Sequence, residues 1–321
     1  MHHALVFSTS NTASSNHHGM DAPARSAGTA GDWLTDFAAE ITPFGPQEAA
    51  IWLDPGCAAE IICIPGNDFD ARAALDTPMF QTVRKKADAA AIDVNVVPVT
   101  GRRKRLLIAD MDSTIITSES LDDLAEMAGI GDAVAAITKR SMAGEIDFEG
   151  ALETRVAMLA GKSTGMFDRL VADAVLTDGA ETLVRTMRAH GARSYLVSGG
   201  FDFITGPIAA TCGFDGDHAN HMDSADGRII GTVAKPVLDR DAKARYLAHY
   251  CAAMQIDASA AATIGDGAND LAMLQAAGMG VAFHGKPLLR ETIALQLNHT
   301  DLRGLLYLQG YKAADFIACR G

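Results

Sequence analysis

The sequence has few cysteines and no long hydrophobic run. Five cysteines, Cys57, Cys63, Cys212, Cys251 and Cys319, are scattered through 321 residues without a C-x-x-C pair. An odd number at such spacings argues against a disulfide framework or a zinc site and is typical of reduced thiols in the cytosol. No apolar stretch approaches the ~18 residues expected of a membrane span. The N-terminus also lacks the layout of a secretory signal. We therefore expect a cytoplasmic protein with no membrane partner.

Positive charge is also scarce. The chain has 27 Lys and Arg against 40 Asp and Glu, a formal net charge of −13. This disfavours nucleic acid as the main partner, because binding to a phosphate polymer needs a basic face. The basic segment 101–105 precedes an apolar run, and we interpret it as a solvated linker rather than a nuclear signal or nucleic-acid patch. Hydrophobic residues make up 48% and charged residues 21%, proportions that exclude a largely disordered chain.

The apolar pattern divides the chain into four regions. Residues 1–30 are rich in small and polar residues, which predicts a flexible tail. Residues 31–100 mix short strand and helix patterns, which predicts a small α+β accessory domain. Residues 101–117 and 183–321 alternate strand and helix patterns and are interpreted as an α/β core. Residues 118–182 look almost wholly helical, too long for one crossover helix, and are interpreted as an inserted helical cap.

Four short apolar runs in the core predict strands of a parallel sheet, buried on both faces. They are Leu106–Ala109, Ser194–Val197, Ala262–Ile264 and Gly280–Phe283. Helical patterns separate the later runs, so we predict an α/β fold: a Rossmann-like parallel sheet with helices on both faces.

Three of these runs lead directly into polar clusters. The clusters are Asp110-Met-Asp-Ser-Thr114, Ser198-Gly-Gly-Phe201 and Gly265-Asp-Gly-Ala-Asn-Asp270. Because ligands bind at the carboxyl ends of the strands in an open α/β sheet, we expect the clusters to converge on one site. The glycines allow close backbone approach to a ligand, and we expect Ser198 and the next N–H groups to open a helix that binds an anion.

That site would hold four aspartates, namely Asp110, Asp112, Asp266 and Asp270. Carboxylates so close together repel one another unless a cation neutralises them, and oxygen ligands favour Mg²⁺. The combination predicts a magnesium-assisted phosphoryl-transfer centre. Each motif alone is weak evidence, because Asp-x-Asp also occurs in calcium loops and both Ser-Gly-Gly and Gly-Asp-Gly also occur in ordinary turns. The order of the three clusters, each after a buried run, favours a catalytic site.

The same motifs, with Lys243, resemble those of the haloacid dehalogenase-like hydrolases over roughly residues 101–300, and most of all those of the phosphoserine phosphatases in that family. The resemblance implies that Asp110 is the nucleophile, which forms a phospho-aspartyl intermediate. It implies that Asp112 first protonates the leaving oxygen and then deprotonates the attacking water. It also implies Mg²⁺ held by Asp110, the Asp112 backbone carbonyl and Asp266, with Asp270 in support.

For the phosphate, the resemblance implies that Ser198, the Gly199 N–H and Lys243 hold the phosphoryl oxygens. Asn269 would lie beside the metal shell with Asp270 and contact the substrate. Lys243 is preferred to Lys235 because it opens a helix at the family's usual spacing before Gly-Asp-Gly.

For the rest of the substrate, the resemblance points to the cap. Glu119 matches the glutamate that binds an ammonium group, and Arg155 the arginine that binds a carboxylate. Met142 and Phe148 match the apolar lid that excludes water. The implied substrate is the small molecule O-phospho-L-serine, hydrolysed in the last step of serine biosynthesis, and a homodimer is compatible with the resemblance.

Several alternatives stay open. Phosphohomoserine or phosphothreonine would fit the same core with a retuned cap, and an alcohol could replace water as phosphoryl acceptor. In a different class, residues 32–100 could make the chain an amino-acid-binding regulatory protein, which serine binding to a fragment lacking the core would test. Asp112 disfavours a P-type ATPase, which has Thr there, and a haloacid dehalogenase, which lacks this aspartate.

Overall fold

The N-terminal part of the chain builds a four-stranded antiparallel sheet. A computed structural model describes residues 2–10, 34, 37, 48–63, 77–142 and 145–318, without the side chains of Met79 and Met142. The sheet has the order β2-β3-β1-β4. Its strands are β1 His3–Ser8, β2 Ile51–Asp54, β3 Ala58–Cys63 and β4 Asp93–Pro98. Helix α1, Pro78–Ala89, begins at Thr77, whose hydroxyl caps the Phe80 N–H.

Strand β1 lies in the middle of this sheet and is buried on both faces. Leu5 and Phe7 pack in a cluster with residues of α1, whereas Ala4 and Val6 join the main core of the molecule. Two covered faces explain why the strand is a continuous apolar run rather than an alternating one. The predicted flexible tail over residues 1–30 is therefore wrong for residues 3–8, and residues 11–30 lie outside the described part of the chain.

The core is a six-stranded parallel sheet of order β12-β11-β10-β5-β6-β7. Its strands are β5 Leu106–Ala109, β6 Arg193–Phe201, β7 Gly216–Asn220, β10 Ala261–Gly265, β11 Met279–Phe283 and β12 Leu295–Leu297. Six helices flank it: α6 Ala180–Ala189, α7 Asp202–Cys212, α8 Ala242–Ala253, α9 Leu271–Ala276, α10 Pro287–Thr292 and α11 Gly304–Leu308.

The sheet is covered by helices on both faces. Leu107 and Ala109 face a core that includes α6 and α7, whereas Leu106 and Ile108 face one that includes α8 and α9. The predicted α/β fold with a parallel sheet is thus confirmed.

Four helices lie between β5 and α6, where the sequence predicts the cap. They are α2 Ser120–Met127, α3 Gly131–Met142, α4 Phe148–Ala157 and α5 Gly165–Asp173. A hairpin of β8 Met222–Ala225 and β9 Arg228–Val233 packs against them. The Gly161 N–H donates to the Ile229 carbonyl at 2.8 Å and the Thr164 N–H to the Gly227 carbonyl at 2.9 Å. The hairpin thus extends the helical insert from a distant part of the sequence.

Buried polar side chains join the N-terminal sheet to the core. The Asn95 carboxamide accepts from the Gln296 N–H and donates to the Gln296 carbonyl, both at 2.9 Å. The side chain thus pairs with both backbone groups of one residue of β12, as the backbone of a neighbouring strand would. Arg102 forms a double ion pair with Glu60, and the Lys104 amine donates to the Ser259 carbonyl at 2.8 Å. The interpretation of residues 101–105 as a solvated linker is therefore wrong for Arg102 and Lys104, whose side chains are mostly buried in these contacts, whereas Arg103 and Arg105 are exposed. No described helix combines the length and the apolar character needed to cross a membrane.

Candidate active site

Strand register brings the three predicted clusters to one edge of the sheet. Ala109, the last residue of β5, lies level with Ile264 of β10 on one side and Leu196 of β6 on the other. The residues that follow these positions therefore emerge side by side, and Asp110, Asp112 and Asp266 line one cavity with Asn269. The sheet alone, without any long loop, explains this convergence.

Asp110 stands at the carboxyl end of β5 in an almost completely buried position. Its Oδ1 accepts the Met111 N–H at 2.7 Å and lies 2.5 Å from the Lys243 amine, which is also 2.6 Å from Asp270 Oδ1. Burial raises the pKa of Asp110, the charge of Asp270 raises it further, and Lys243 opposes both. Burial disfavours the charged form of Lys243, but Asp110 and Asp270 outweigh this and raise its pKa. Lys243 is therefore a permanent cation beside Asp110.

Asp112 sits between the sheet and the first helix of the insert. Its Oδ1 accepts the Ser120 N–H at 2.8 Å and its Oδ2 accepts the Ser198 hydroxyl at 3.2 Å. Burial and the nearby charge of Glu119 raise the pKa of Asp112 to about 6, and the hydrogen bonds from Ser120 and Ser198 limit that rise. A carboxyl group with such a pKa can both hold and release a proton near neutral pH.

The carboxylates also fit a divalent cation. Oxygen atoms of Asp110, Asp266 and Asp270 lie within 4.8 Å of one another. Both Asp270 oxygens are occupied, one by Lys243 and the other by the Gly267 N–H at 3.0 Å. In the described structure, Asp110 Oδ2 and Asp266 Oδ1 have no protein hydrogen-bond partner. Two open carboxylate oxygens suit a hard ion that keeps several waters. Asp270 in turn contacts the Lys243 amine that lies beside Asp110.

A cavity of about 170 Å³ lies between these carboxylates and the helical insert. Glu119, just before α2, and Arg155, near the end of α4, line it. Glu119 accepts the Ser113 hydroxyl at 2.9 Å. The Arg155 guanidinium donates to the Ala151 carbonyl at 3.2 Å and to the Thr138 hydroxyl at 3.5 Å, and it forms no ion pair with any described residue. Besides the aspartates, the cavity thus offers an anionic and a cationic side chain.

Phe148 closes the cavity on the side of the insert. Its ring lies so near Gly199 that a Cβ at position 199 would stand 3.2 Å from it, and one at position 200 would stand 3.1 Å from Asp112 Oδ2. Glycine at both positions therefore permits this close approach. Ser198 and Lys243 line a smaller adjoining cavity, which also contacts Phe148, Gly199 and Asn269.

One local prediction at Ser198 is wrong. We expected Ser198 to open a helix, but strand β6 continues to Phe201 and helix α7 begins at Asp202. The pairing of β6 with β7 is interrupted after Val197 and resumes at Phe201, which lies opposite Asn220, so the glycines form an irregular stretch of strand beside the cavity. The Ser198 hydroxyl accepts the Gly200 N–H at 2.9 Å instead. The side chain of Met142, predicted as part of the lid, lies outside the described structure.

Sequence reasoning missed Lys286. Its amine lies 2.9 Å from Asp266 Oδ2 and 3.6 Å from Glu119 Oε1, and it lines the same cavity. A usable signal was present, because β11 ends at Phe283 and leads into His284-Gly285-Lys286. The rule applied to the other three strands would have placed Lys286 at the same edge of the sheet.

Comparison with known proteins agrees with this geometry. A family model described as haloacid dehalogenase-like hydrolase matches residues 107–275. Phosphoserine phosphatase of Streptomyces coelicolor is 41% identical over 248 residues, covering 75% of this chain and 60% of that protein. Phosphoserine phosphatase of Lactococcus lactis is 40% identical over 203 residues, covering 63% of this chain and 93% of that protein.

A solved structure described as a phospho-aspartyl intermediate analogue of phosphoserine phosphatase superposes with a TM-score of 0.60 at 33% identity. It covers 64% of this chain and 98% of that chain. The chain spans about 60% of the length of the Streptomyces relative but nearly the whole of the shorter ones. The resemblance predicted from the motifs is confirmed: the chain belongs to the haloacid dehalogenase-like hydrolases.

Proposed function

We propose that the chain is a cytoplasmic, Mg²⁺-dependent phosphatase that hydrolyses O-phospho-L-serine to L-serine and phosphate, the last step of serine biosynthesis. The observation that carries this proposal is one cavity with three kinds of group. Asp110 and Asp112 line it from the core, and Glu119 and Arg155 line it from the insert. Phosphoserine carries a phosphate, an ammonium and a carboxylate, which need these three environments. The names of the curated relatives support the same substrate.

The first chemical step is assigned to Asp110. A carboxylate oxygen of Asp110 attacks phosphorus, the bond between phosphorus and the seryl oxygen breaks, and Asp112 gives its proton to that oxygen. The raised pKa of Asp112 supports this role, because the group can carry a proton near neutral pH. The product is free serine and an acyl phosphate on Asp110.

The second step releases phosphate. A water molecule attacks the same phosphorus, Asp112 takes the water proton, and the bond to the Asp110 oxygen breaks. Lys243, together with the Ser198 hydroxyl and the Gly199 N–H, would hold the phosphoryl oxygens in both steps. A fixed ammonium such as Lys243 stabilises the charge that develops on these oxygens without moving during the reaction.

The metal would be held by Asp110, the Asp112 carbonyl and Asp266, with Asp270 and Asn269 beside it. When bound, Mg²⁺ would neutralise charge on the transferring phosphoryl group. The described cluster of carboxylate oxygens supports a divalent ion of this kind.

Recognition of serine is assigned to the cap, which we propose spans residues 118–182. Glu119 would bind the ammonium group, Arg155 the carboxylate, and Phe148 with Met142 would exclude water. Arg155 is suited to this role because its planar guanidinium can bind a carboxylate through two hydrogen bonds. The remaining divisions proposed from the sequence are an accessory domain at 31–100 and a core at 101–117 and 183–321, and a homodimer is the proposed assembly.

The proposal is tested by phosphate release from four esters, each with Mg²⁺ and with EDTA. They are L-phosphoserine, phosphothreonine, phosphohomoserine and p-nitrophenyl phosphate. We expect a strong preference for L-phosphoserine that EDTA abolishes. If the protein hydrolysed the other esters but not phosphoserine, the proposed phosphatase chemistry would stand and the proposed roles of the cap residues would be contradicted. Full activity in EDTA would contradict the metal assignment.

A further inference from the structure

Lys286 occupies a place between two acidic groups from different parts of the fold. It precedes α10, and its backbone N–H donates to the Asp266 carbonyl at 2.9 Å. Its amine lies 2.9 Å from Asp266 Oδ2, in the core, and 3.6 Å from Glu119 Oε1, where the insert begins. The backbone contact fixes the main chain of Lys286 beside Asp266, which keeps the amine within reach of both carboxylates.

Lys286 is the ion-pair partner that these two carboxylates share. In the described part of the chain, neither Asp266 nor Glu119 forms an ion pair with any other side chain. The second lysine of the site, Lys243, is already committed to Asp110 and Asp270. Without Lys286, two carboxylates at the mouth of the cavity would lack a cation.

We propose that Lys286 is a tethered cation that competes with the divalent metal at Asp266 and thereby lowers the affinity of the site for that metal. The inference rests on the proposed metal site. A divalent ion bound at the open Asp266 oxygen would face the Lys286 ammonium across one carboxylate. The repulsion between the metal ion and the Lys286 ammonium then makes the free energy of metal binding less favourable. Because the Lys286 side chain is half exposed, at 51%, it can move partly into water when the metal binds.

The size of the effect follows from Coulomb's law. A unit charge and a divalent ion roughly 5 Å apart, screened almost as in water, change a binding constant by roughly ten- to hundredfold. The effect should shrink with added salt, because a half-exposed charge is screened. If Lys286 only oriented the Asp266 carboxylate, its removal would weaken metal binding, because loss of a partner that orients a metal ligand typically lowers the affinity for the metal. The change in affinity would then be opposite to the one that we expect.

The test is the dissociation constant for Mn²⁺, a spectroscopic substitute for Mg²⁺, measured from the free-ion EPR signal without substrate. We expect Lys286→Met and Lys286→Gln to bind Mn²⁺ ten- to hundredfold more tightly than the unchanged chain, and less so at high salt. Lys286→Arg keeps the charge and should stay within about threefold. Lys85→Met, an exposed lysine on α1, makes the same change in net charge and should have no effect.

Equal or weaker Mn²⁺ binding by both uncharged variants would overturn the inference. Absence of Mn²⁺ binding by the unchanged chain would overturn both the inference and the metal site of the proposed function. Because no substrate is present, loss of the phosphoserine assignment alone would leave the expected Mn²⁺ result standing. The two proposals therefore fail separately.

Discussion

Replacing Asp112 by Asn should stabilise the metal-free protein at neutral pH while it removes the acid–base group. Burial and the charge of Glu119 raise the pKa of Asp112 from 3.8 to about 6. Because the pKa is higher in the folded than in the unfolded chain, the ionised carboxylate costs stability above pH 6. This loss of stability disappears when the pH falls below the pKa of Asp112 in the unfolded chain, because Asp112 is then protonated in both states. Asparagine keeps an oxygen that can accept the Ser120 N–H.

The magnitude follows from the size of the shift. A difference of about two pKa units lowers the free energy of unfolding by about 3 kcal/mol at pH 7.5, and by about half of that at pH 5. Urea unfolding in EDTA at both pH values measures it. Asp173→Asn, at an exposed position on α5, is the control and should change stability by less than about 0.5 kcal/mol. A stability gain from Asp112→Asn that does not shrink between pH 7.5 and pH 5, or a loss of stability at pH 7.5, would show that the ionised Asp112 carboxylate does not destabilise the fold.

Two further changes test other parts of the structure. Arg155→Lys should raise KM for O-phosphoserine by roughly ten- to hundredfold, with little change for p-nitrophenyl phosphate, because lysine cannot bind a carboxylate bidentately; equal KM values in steady-state kinetics would contradict this. Asn95→Ala should destabilise the protein by about 2–4 kcal/mol in urea unfolding, since it leaves the Gln296 N–H and carbonyl without their Asn95 partner. Unchanged stability would show that the interface does not depend on these bonds.

The catalytic edge of the sheet could be predicted because its signal is local. Each apolar run is a strand buried on both faces, and the polar cluster after it must emerge at the carboxyl end. Asp110, Ser198 and Asp266 followed from this rule without knowledge of the tertiary structure. Lys286 follows from the same rule at the fourth strand, because it lies three residues after the end of β11.

The N-terminal unit could not be predicted as well because its pairings are distant in sequence. Strand β1 pairs with β3 and β4, whose partner residues lie 50–60 and 85–95 positions away along the chain, and no local pattern indicates such partners. Arg102 looked like part of a solvated charge run because its partner, Glu60, lies forty-two residues upstream. The hypothesis that residues 32–100 bind an amino acid stays a prediction.

The residues that line the cavity could be predicted only in part from local sequence patterns. Glu119 and Arg155 lie on different elements of the insert, and helical spacing cannot show that they face one cavity. The resemblance to the family supplied that expectation, and the structure brings both residues to the cavity wall. Their assignment to the ammonium and carboxylate of a substrate stays a proposal.

The most direct test of the account is the location of phosphate on the enzyme during turnover. O-phosphoserine with labelled phosphate would be mixed with enzyme and Mg²⁺, quenched in acid within milliseconds, and the peptides mapped. If Asp110 is the nucleophile, acid-stable label is expected on Asp110 and none on the Asp110→Asn variant. Label on another residue, or label retained by Asp110→Asn, would show that Asp110 is not the nucleophile.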